Sequence, residues 1–251
     1  MESLKINESL LLTQEKKGLT FGTDAYMLAS FVSGGSKKTA VELGCGTGVI
    51  SLLCQSKNKF SHIYAVEIQD IFSKLTEKNI SDNGLCEKIT PICMDLRELK
   101  SSHVGGEADC VFANPPYMKA DSGKKNTHDE KFIARHEVCG GIGDFCACAS
   151  RLLKHGGKFY AVYRPDRLTD LLYSMRENKL EPKAFVFVHA YPKATPSIVL
   201  VEAIKGGASG NRLYPPLYLS STPEDSRNNI LSPEAQRIYD TCSFEDFLKR
   251  E

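Results

Sequence analysis

The stretch VELGCGTGVISLL, residues 41–53, decides the fold of this chain. It reads as a strand, a glycine turn and the start of a helix. Gly44, Gly46 and Gly48 permit unusual backbone angles and let a ligand approach the main chain without a Cβ in the way. The dinucleotide-binding fingerprint needs its third glycine one position later, where this chain has Val49. The turn therefore predicts a ligand site at the start of the helix, with a spacing that differs from the dinucleotide motif.

Strand-like and helix-like runs alternate along the chain around this stretch. The strand-like runs are mostly apolar throughout, which suits strands that are covered on both faces, and the intervening helices indicate a parallel sheet. The last two strands are joined only by YPKATP, so we expect them to form an antiparallel hairpin at the end of an α/β sheet of seven strands. The predicted strands are 39–43, 62–68, 89–94, 109–114, 157–163, 184–190 and 197–204, and the predicted helices are 48–56, 69–82, 142–154 and 166–179.

The two ends of the chain carry weaker patterns. Residues 18–32 predict a helix that Thr23 or Asp24 can cap. The stretch GGASGN, residues 206–211, indicates a break before a tail with one or two short helices, near 232–240 and 243–249. We expect one domain over residues 1–251, with an N-terminal extension and helix (1–38), a catalytic core (39–205) and a C-terminal tail (206–251).

Composition excludes several classes of protein. The chain has 251 residues, of which 41% are hydrophobic, and a formal net charge of +1, which excludes a strongly basic nucleic-acid coat but not a local basic patch. No apolar run approaches the roughly 18 residues that a membrane span needs, so we expect no membrane partner. The N-terminal MESLKINESLLLTQEKKG has charges on both sides of its apolar run and no small-residue cleavage site, which predicts no signal peptide and a cytoplasmic location.

The cysteines indicate neither a disulfide framework nor a metal site. They are odd in number, and no CxxC pair occurs among them. We interpret them as buried structural thiols in a reducing compartment. The nine are Cys45, Cys54, Cys86, Cys93, Cys110, Cys139, Cys146, Cys148 and Cys242.

An acidic residue accompanies each of the first three predicted strands. Glu42 lies just before the glycines, where a carboxylate repels a pyrophosphate but attracts an ammonium group. Glu67 ends the second strand and can accept hydrogen bonds from both ribose hydroxyls, while Asp95 closes the third and can accept from an adenine amino group. Ligands bind at the carboxyl ends of strands in open α/β sheets, so ammonium, ribose and adenine together indicate S-adenosylmethionine rather than NAD.

The fourth predicted strand ends abruptly in DCVFANPPYMKA, residues 109–120. Two prolines end a sheet because each fixes φ and lacks a backbone donor. The Asn114 side-chain oxygen and the Pro115 carbonyl can together hold an NH₂ group with its lone pair toward a methyl donor. Both acceptors strengthen as that nitrogen becomes positive, so they favour the transition state. Tyr117 offers a flat face for the planar system that carries the nitrogen.

The motifs ELGCGTG, VEIQ, MDL and NPPY, in this order, resemble those of the class I S-adenosylmethionine-dependent methyltransferases. The resemblance covers roughly residues 20–204. It implies a Rossmann-like α/β fold with a seven-stranded, mainly parallel sheet and a C-terminal antiparallel hairpin. It also implies S-adenosyl-L-methionine as the cofactor and S-adenosyl-L-homocysteine as its product. In that family NPPY marks methylation of adenine N6, cytosine N4 or glutamine N5.

Three groups of relatives compete for the substrate. Amino-DNA methyltransferases usually carry a separate target-recognition domain, for which we see no room. Release-factor glutamine methyltransferases place a helical domain before the sheet, whereas the predicted sheet here begins near residue 39, too early for such a domain. GLTFGTDAYMLASF (18–31), FIARHE (132–137) and SIVLVEAIKGG (197–207) are similar to the bacterial tRNA1(Val) (adenine-37-N6)-methyltransferase family. We therefore expect an adenine N6-methyltransferase acting on tRNA. A protein glutamine N5-methyltransferase and a non-catalytic RNA-binding module on the same fold stay open as alternatives.

The sequence patterns and the resemblance together assign residues to each role. Asn114, Pro115 and Tyr117 are the expected catalytic group. Asp24 lies over the methionine end of the cofactor or only caps its helix. We expect tRNA as the partner, no metal, and a monomer. The expected cofactor contacts are Thr23, Asp24, Glu42, Gly44, Cys45, Gly46, Gly48, Glu67, Asp95, Leu96 and Asn114, and the expected substrate contacts are Pro116, Lys119, Lys124, Lys125 and Arg135.

Overall fold

One mixed sheet of nine strands organises the computed structural model, which describes residues 2–6, 10–14, 22–116 and 140–249. A separate antiparallel pair, β1 and β2, precedes it. The strands are β1 (Glu2–Lys5), β2 (Leu11–Gln14), β3 (Gly35–Leu43), β4 (Phe60–Glu67), β5 (Ile89–Cys93), β6 (Ala108–Ala113), β7 (Leu153–Tyr163), β8 (Leu180–His189), β9 (Pro196–Lys205), β10 (Arg212–Leu213) and β11 (Leu217–Tyr218).

Helices connect most of the parallel strands, and three more follow the sheet. They are α1 (Thr23–Phe31), α2 (Val49–Ser56), α3 (Asp70–Asp82), α4 (Ile142–Leu152), α5 (Leu168–Glu177), α6 (Pro223–Arg227), α7 (Pro233–Thr241) and α8 (Glu245–Leu248), with 3₁₀ turns at Ser101–Val104 and Pro165–Arg167. No helix within these described ranges is both long and apolar enough to cross a bilayer.

The strand order is β10-β8-β9-β7-β6-β3-β4-β5. The pairs from β7 across to β5 are parallel, whereas β9 runs antiparallel to both β7 and β8. This arrangement confirms the predicted seven-stranded, mainly parallel sheet with an antiparallel hairpin at its end. The two-residue strands β10 and β11 extend it on the outer edge of β8 and were not predicted, because two residues carry no readable periodicity.

Both faces of the sheet are buried, as the continuously apolar strands predict. Neighbouring residues of β3 show the alternation, since Ala40 belongs to one hydrophobic cluster and Val41 to the other. The first cluster includes residues of α1, α2 and the C-terminal helices, and the second includes residues of α4 and α5. The sheet therefore lies between two helical layers, and its strand ends emerge at two opposite edges.

The C-terminal helices pack against α1. The Tyr26 ring stacks on Tyr239 with centroids 4.3 Å apart, and its hydroxyl donates to the Tyr239 carbonyl oxygen at 2.6 Å. Phe31, at the other end of α1, meets Phe244 edge-on. These contacts bury one face of the tail, and they hold α1 near both of its ends.

The start of α1 differs from the prediction. Gly22 is the N-cap, and neither Thr23 nor Asp24 caps the helix with its side chain, because both lie inside the first turn. Asp24 Oδ1 instead accepts from the Ala25 amide at 2.9 Å. A carboxylate near the unsatisfied amides of a helix N-terminus is favourable, so Asp24 still stabilises this end of α1.

Candidate functional site

The strands that carry the predicted site residues end at the same edge of the sheet. In the register of β3, Leu43 pairs with Val66 of β4 and with Ala113 of β6, and Glu67 pairs with Cys93 of β5. The glycine loop (residues 44–48), Glu67, Asp95 and Asn114 follow directly. The parallel topology therefore brings together residues that are up to 70 positions apart in the chain, at the edge where open α/β sheets bind ligands.

The glycine loop adopts angles that its residue types require. Gly44, Gly46 and Gly48 have φ values of 68°, 55° and 78°. A Cβ added at Gly46 would meet nothing within 4 Å, so the main chain there faces open space. A Cβ at Gly48 would lie 2.8 Å from Thr76 Cγ2, so this position also needs glycine for packing. The loop therefore exposes its backbone at Gly46, whereas at Gly48 it packs against α3.

Glu67 holds the glycine loop through hydrogen bonds to the backbone. Its Oε2 accepts from the Gly46 amide at 3.0 Å, and its Oε1 accepts from the Gln69 amide at 2.9 Å. The side chain is buried, and this burial raises its pKa, although the backbone hydrogen bonds act in the opposite direction. Each carboxylate oxygen has a second lone pair, so the group that orients the loop can also accept from a bound hydroxyl.

Glu42, which is predicted to attract the ammonium group of a ligand, is buried and bonded to α2. Its Oε2 accepts from the Ser51 amide at 3.0 Å and also from the Ser51 hydroxyl, at the first turn of α2. Burial raises its pKa to about 8, and the hydrogen bonds from Ser51 oppose this rise. Glu42 therefore supports the first turn of α2, and it holds a proton near neutral pH.

Asp95 and Leu96 follow β5. The Asp95 carboxylate is paired with the Arg97 guanidinium, whose Nε lies 2.9 Å from Oδ1, and it accepts from the Arg97 amide at 2.8 Å. The hydrogen bond from Arg97 lowers the pKa of Asp95, so this carboxyl stays charged. Leu96 is buried in the second hydrophobic cluster, and its carbonyl oxygen accepts from Arg151 at 2.7 Å.

Two residues of α3 that the sequence analysis did not identify hold the glycine loop. The Thr76 hydroxyl donates to the Gly46 carbonyl oxygen at 2.7 Å. Asn79 donates to the Thr47 carbonyl oxygen at 2.9 Å, and it also bonds both backbone groups of Thr13 in β2. Both side chains are fully buried. The available signal was their spacing of three, which puts two polar residues on the apolar face of an amphipathic helix.

Asn114 is the first residue beyond β6, where the two prolines end the strand. Its Nδ2 donates to Asp24 Oδ2 at 3.0 Å. Asn114 and Pro116 are half-buried, while Pro115 is buried. The structure thus joins the loop after β6 to the first turn of α1. The predicted Thr23 is exposed and bonds the Tyr239 hydroxyl instead.

Several predicted residues lie outside the described ranges. They are Tyr117, Lys119, Lys124, Lys125 and Arg135. Their expected roles in stacking and in phosphate contact stay predictions.

The sequence that forms this edge matches a known family. Residues 16–172, more than half of the chain, match the family model described as the methyltransferase small domain. The chain belongs to the methyltransferase small domain family. The matched range contains the glycine loop, Glu67, Asp95, Asn114 and the first turn of α1, so the family assignment covers the whole candidate site.

Three curated relatives of this methyltransferase small domain carry the same name. The tRNA1(Val) (adenine(37)-N6)-methyltransferase of Aliivibrio salmonicida is 26% identical over 141 residues, which are 56% of this chain and 58% of that protein. Proteins of Dyadobacter fermentans and Bacteroides fragilis have the same name. The chain spans about three-fifths of the length of the Aliivibrio protein.

Solved structures share the fold at low identity. A predicted O-methyltransferase from Agrobacterium tumefaciens has a TM-score of 0.64 and 19% identity, covering 84% of this chain and 98% of the other. Geranyl diphosphate C-methyltransferase from Streptomyces coelicolor, solved with S-adenosyl-L-homocysteine, has a TM-score of 0.50 and 12% identity, covering 72% and 77%. These likenesses confirm the methyltransferase fold of the domain.

No group of three or more His, Cys, Asp or Glu residues that could hold a metal ion occurs in the part of the chain that the structure describes. Cys86 and Cys93 are exposed, which corrects the expectation that all cysteines are buried. Cys93 lies at the end of β5, where the strand reaches the ligand edge. The buried ones are Cys45, Cys54, Cys110, Cys146, Cys148 and Cys242.

Proposed function

We propose that this chain is an S-adenosylmethionine-dependent methyltransferase that acts in the cytoplasm on adenine N6 of a tRNA anticodon loop. The observation that carries the proposal is the orientation of Asn114. Because Nδ2 of this amide donates to Asp24, the opposite arm of the amide is Oδ1, an acceptor. An acceptor at the end of β6, beside a bare glycine loop, suits a planar amino group.

The residues present fit the proposed cofactor. The chain faces open space over Gly46, which leaves room for a ligand against the main chain. Glu67 supplies a carboxylate for ribose hydroxyls, and Asp95 supplies one for an adenine amino group. Gly44 and Cys45 belong to the same loop and contribute further backbone to this site. When bound, S-adenosylmethionine supplies a methyl group on a positively charged sulfur, and the loop offers it close backbone contact.

The acceptor residues carry the chemistry that this chain itself provides. An exocyclic amine is a poor nucleophile because its lone pair is delocalised into the ring. Asn114 Oδ1 and the Pro115 carbonyl accept from its two N–H groups, and their attraction grows as the nitrogen becomes positive. The prolines restrict the backbone at this point. Proton loss from the alkylated nitrogen needs no strong base, so water suffices as the acceptor.

A groove beside the site supports a substrate larger than a free base. It has a volume of about 580 Å³ at the carboxyl end of β7 and the start of β9. Arg164, which is also paired with Asp166, and the hydroxyl residue Thr195 line it, and both can contact phosphate. An unpaired loop adenine also costs less to turn into a pocket than a base in a duplex. The names of the curated relatives favour tRNA over a protein glutamine.

The test combines one variant with a choice of acceptors. Asn114→Ala should lower kcat by ~100–1,000-fold, the loss typical when one group that stabilises transition-state charge is removed. Calorimetry with S-adenosylhomocysteine should show nearly unchanged affinity. Asn178→Ala, at the remote end of α5, is the matched control. Near-wild-type turnover in Asn114→Ala would contradict the proposed role.

The acceptor is identified by supplying labelled cofactor with bulk tRNA, release factor or DNA. Nucleoside mass spectrometry of labelled tRNA should show N6-methyladenosine. Label on the release factor would instead establish the glutamine N5 alternative. Cofactor binding without transfer to any acceptor would establish a non-catalytic module.

A further inference from the structure

Asp24 makes a contact that neither a helix cap nor a cofactor ligand requires. Its Oδ2 accepts from Asn114 Nδ2 at 3.0 Å, while its Oδ1 accepts from the Ala25 amide at 2.9 Å. The first bond joins residues 90 positions apart. The second fixes the plane of the carboxylate on the first turn of α1. The carboxylate is therefore oriented by its own helix and directed at the amide of another element.

The helix that carries Asp24 is itself held in place. Tyr26, two residues later, stacks on Tyr239 and donates its hydroxyl to the Tyr239 carbonyl oxygen. The residues from Ala25 to Phe31 are all buried. A carboxylate on such a helix has little freedom to follow a moving partner, so it sets the position of the half-buried Asn114.

The contact has two chemical consequences for the Asn114 amide. A carboxylate accepts from the NH₂ arm but repels the oxygen arm, so it determines which way the amide is turned. A hydrogen bond to a charged acceptor is also stronger than a neutral one, and it polarises the amide so that Oδ1 becomes a better acceptor. Both effects favour a target nitrogen that becomes positive during methyl transfer.

We propose that Asp24 is a positioning residue that orients and polarises Asn114 for methyl transfer. This inference rests on the proposed function, because it assigns Asp24 through the amide that holds the target nitrogen. It replaces the expectation that Asp24 contacts the methionine end of the cofactor. Loss of a cofactor ligand lowers the affinity for the cofactor. Loss of a positioning residue lowers the rate of methyl transfer.

The first experiment measures kcat with tRNA and the dissociation constant of S-adenosylhomocysteine for Asp24→Ala. We expect kcat to fall about 100-fold, the effect of displacing a reacting group by about 1 Å, while the dissociation constant changes little. Asp24→Asn keeps the shape of the side chain and should lose less. Asp82→Asn, which removes a surface carboxylate paired with Lys78, controls for the change in charge.

The second experiment exchanges the two residue types. Asn114→Asp alone puts two carboxylates at hydrogen-bond distance, so one must hold a proton. The double variant Asp24→Asn with Asn114→Asp restores an amide donor facing a carboxylate. We expect it to turn over about 10-fold faster than Asn114→Asp alone, a gain typical of contacting pairs. A purely structural role for Asp24 gives no such recovery.

The outcomes separate this inference from the proposed function. Unchanged kcat in Asp24→Ala, or a weakened affinity for S-adenosylhomocysteine with kcat intact, would overturn the positioning role while methyl transfer stands. Failure of the exchanged pair to recover would overturn it as well. A wild-type protein that methylates no acceptor would overturn the proposed function, and this assignment with it.

Discussion

The glycine loop and the loop after β6 lie at the same edge of the sheet but are held in different ways. Glu67, Thr76 and Asn79 are buried side chains that bond the backbone of the glycine loop directly. Asn114 is only half-buried, and it is oriented by two prolines and by a carboxylate from a distant helix. Substitutions around the glycine loop should therefore cost stability, whereas those around Asn114 should cost rate.

The largest effect on stability is expected from Gly48→Ala. The left-handed φ at this position costs a residue with a Cβ ~1–2 kcal/mol, and the Cβ would also lie 2.8 Å from Thr76 Cγ2. Overpacking of that kind adds ~1–3 kcal/mol. Urea denaturation should therefore show that Gly48→Ala lowers the free energy of unfolding by the sum of the two costs.

Gly46→Ala is the matched control for this change. Gly46 has a similar positive φ, but its added Cβ meets nothing within 4 Å. It should show only the backbone cost. Equal losses of unfolding free energy in the two variants would mean that Thr76 moves aside and does not hold the loop.

The next largest effect separates Asn79 of α3 from Asn83, the residue that follows the C-terminal end of this helix. Asn79 accepts from the Thr13 amide and donates to the Thr13 and Thr47 carbonyl oxygens, in a fully buried position. Asn83, one turn later, makes the same pair of bonds to Leu11 near the surface. A buried group left unsatisfied costs ~1–3 kcal/mol, whereas water replaces a lost partner at the surface. Asn79→Ala should therefore lower the unfolding free energy clearly more than Asn83→Ala.

This pair also tests the link between β2 and the glycine loop. Asn79 is bonded to both of them, while Asn83 bonds only Leu11 of β2 and the Asn79 carbonyl oxygen in its own helix. S-adenosylhomocysteine should bind Asn79→Ala more weakly than Asn83→Ala when both are folded. Equal affinities would show that the loop keeps its conformation without Asn79.

The seven central strands of the sheet could be predicted from sequence because each contains a continuous apolar run, although β3, β7 and β8 begin four residues before the predicted start. Runs such as 62–68 and 109–114 identify β4 and β6 to within two residues at each end. The order of acids and glycines along them also identifies the ligand edge, because parallel strands end together. Local pattern and global fold agree there, which is why the prediction succeeds.

The contacts that hold the site could not be predicted in the same way. Asp24 and Asn114 are 90 positions apart, and nothing local to either residue indicates the other. The helix start was placed wrongly because Thr23 and Asp24 are typical caps, while the cap observed is Gly22. Thr76 and Asn79 look like ordinary polar residues until the glycine loop is seen to lie against them. Tertiary contacts override the local preference in each case.

The smallest effect near pH 5 is expected at Glu42, whose buried carboxyl has a pKa raised to about 8. The folded protein keeps a proton on this group between about pH 5 and pH 8, while the unfolded chain releases it. Stability from this group is therefore lost as pH rises through that window, with a slope of at most ~1.4 kcal/mol per pH unit. Above pH 8 the slope vanishes, because both states have lost the proton.

Glu42→Gln should remove this slope. Its amide oxygen can accept from Ser51 as the carboxylate does, so the support beneath α2 remains while the titrating proton is gone. The variant should match the wild type near pH 5 and exceed its stability near pH 8, in denaturation curves measured across that range. Glu77→Gln, on the exposed face of α3, should show no such crossover. A wild-type slope that persists in Glu42→Gln would assign the proton to Glu67, the other buried carboxylate with a raised pKa at this edge.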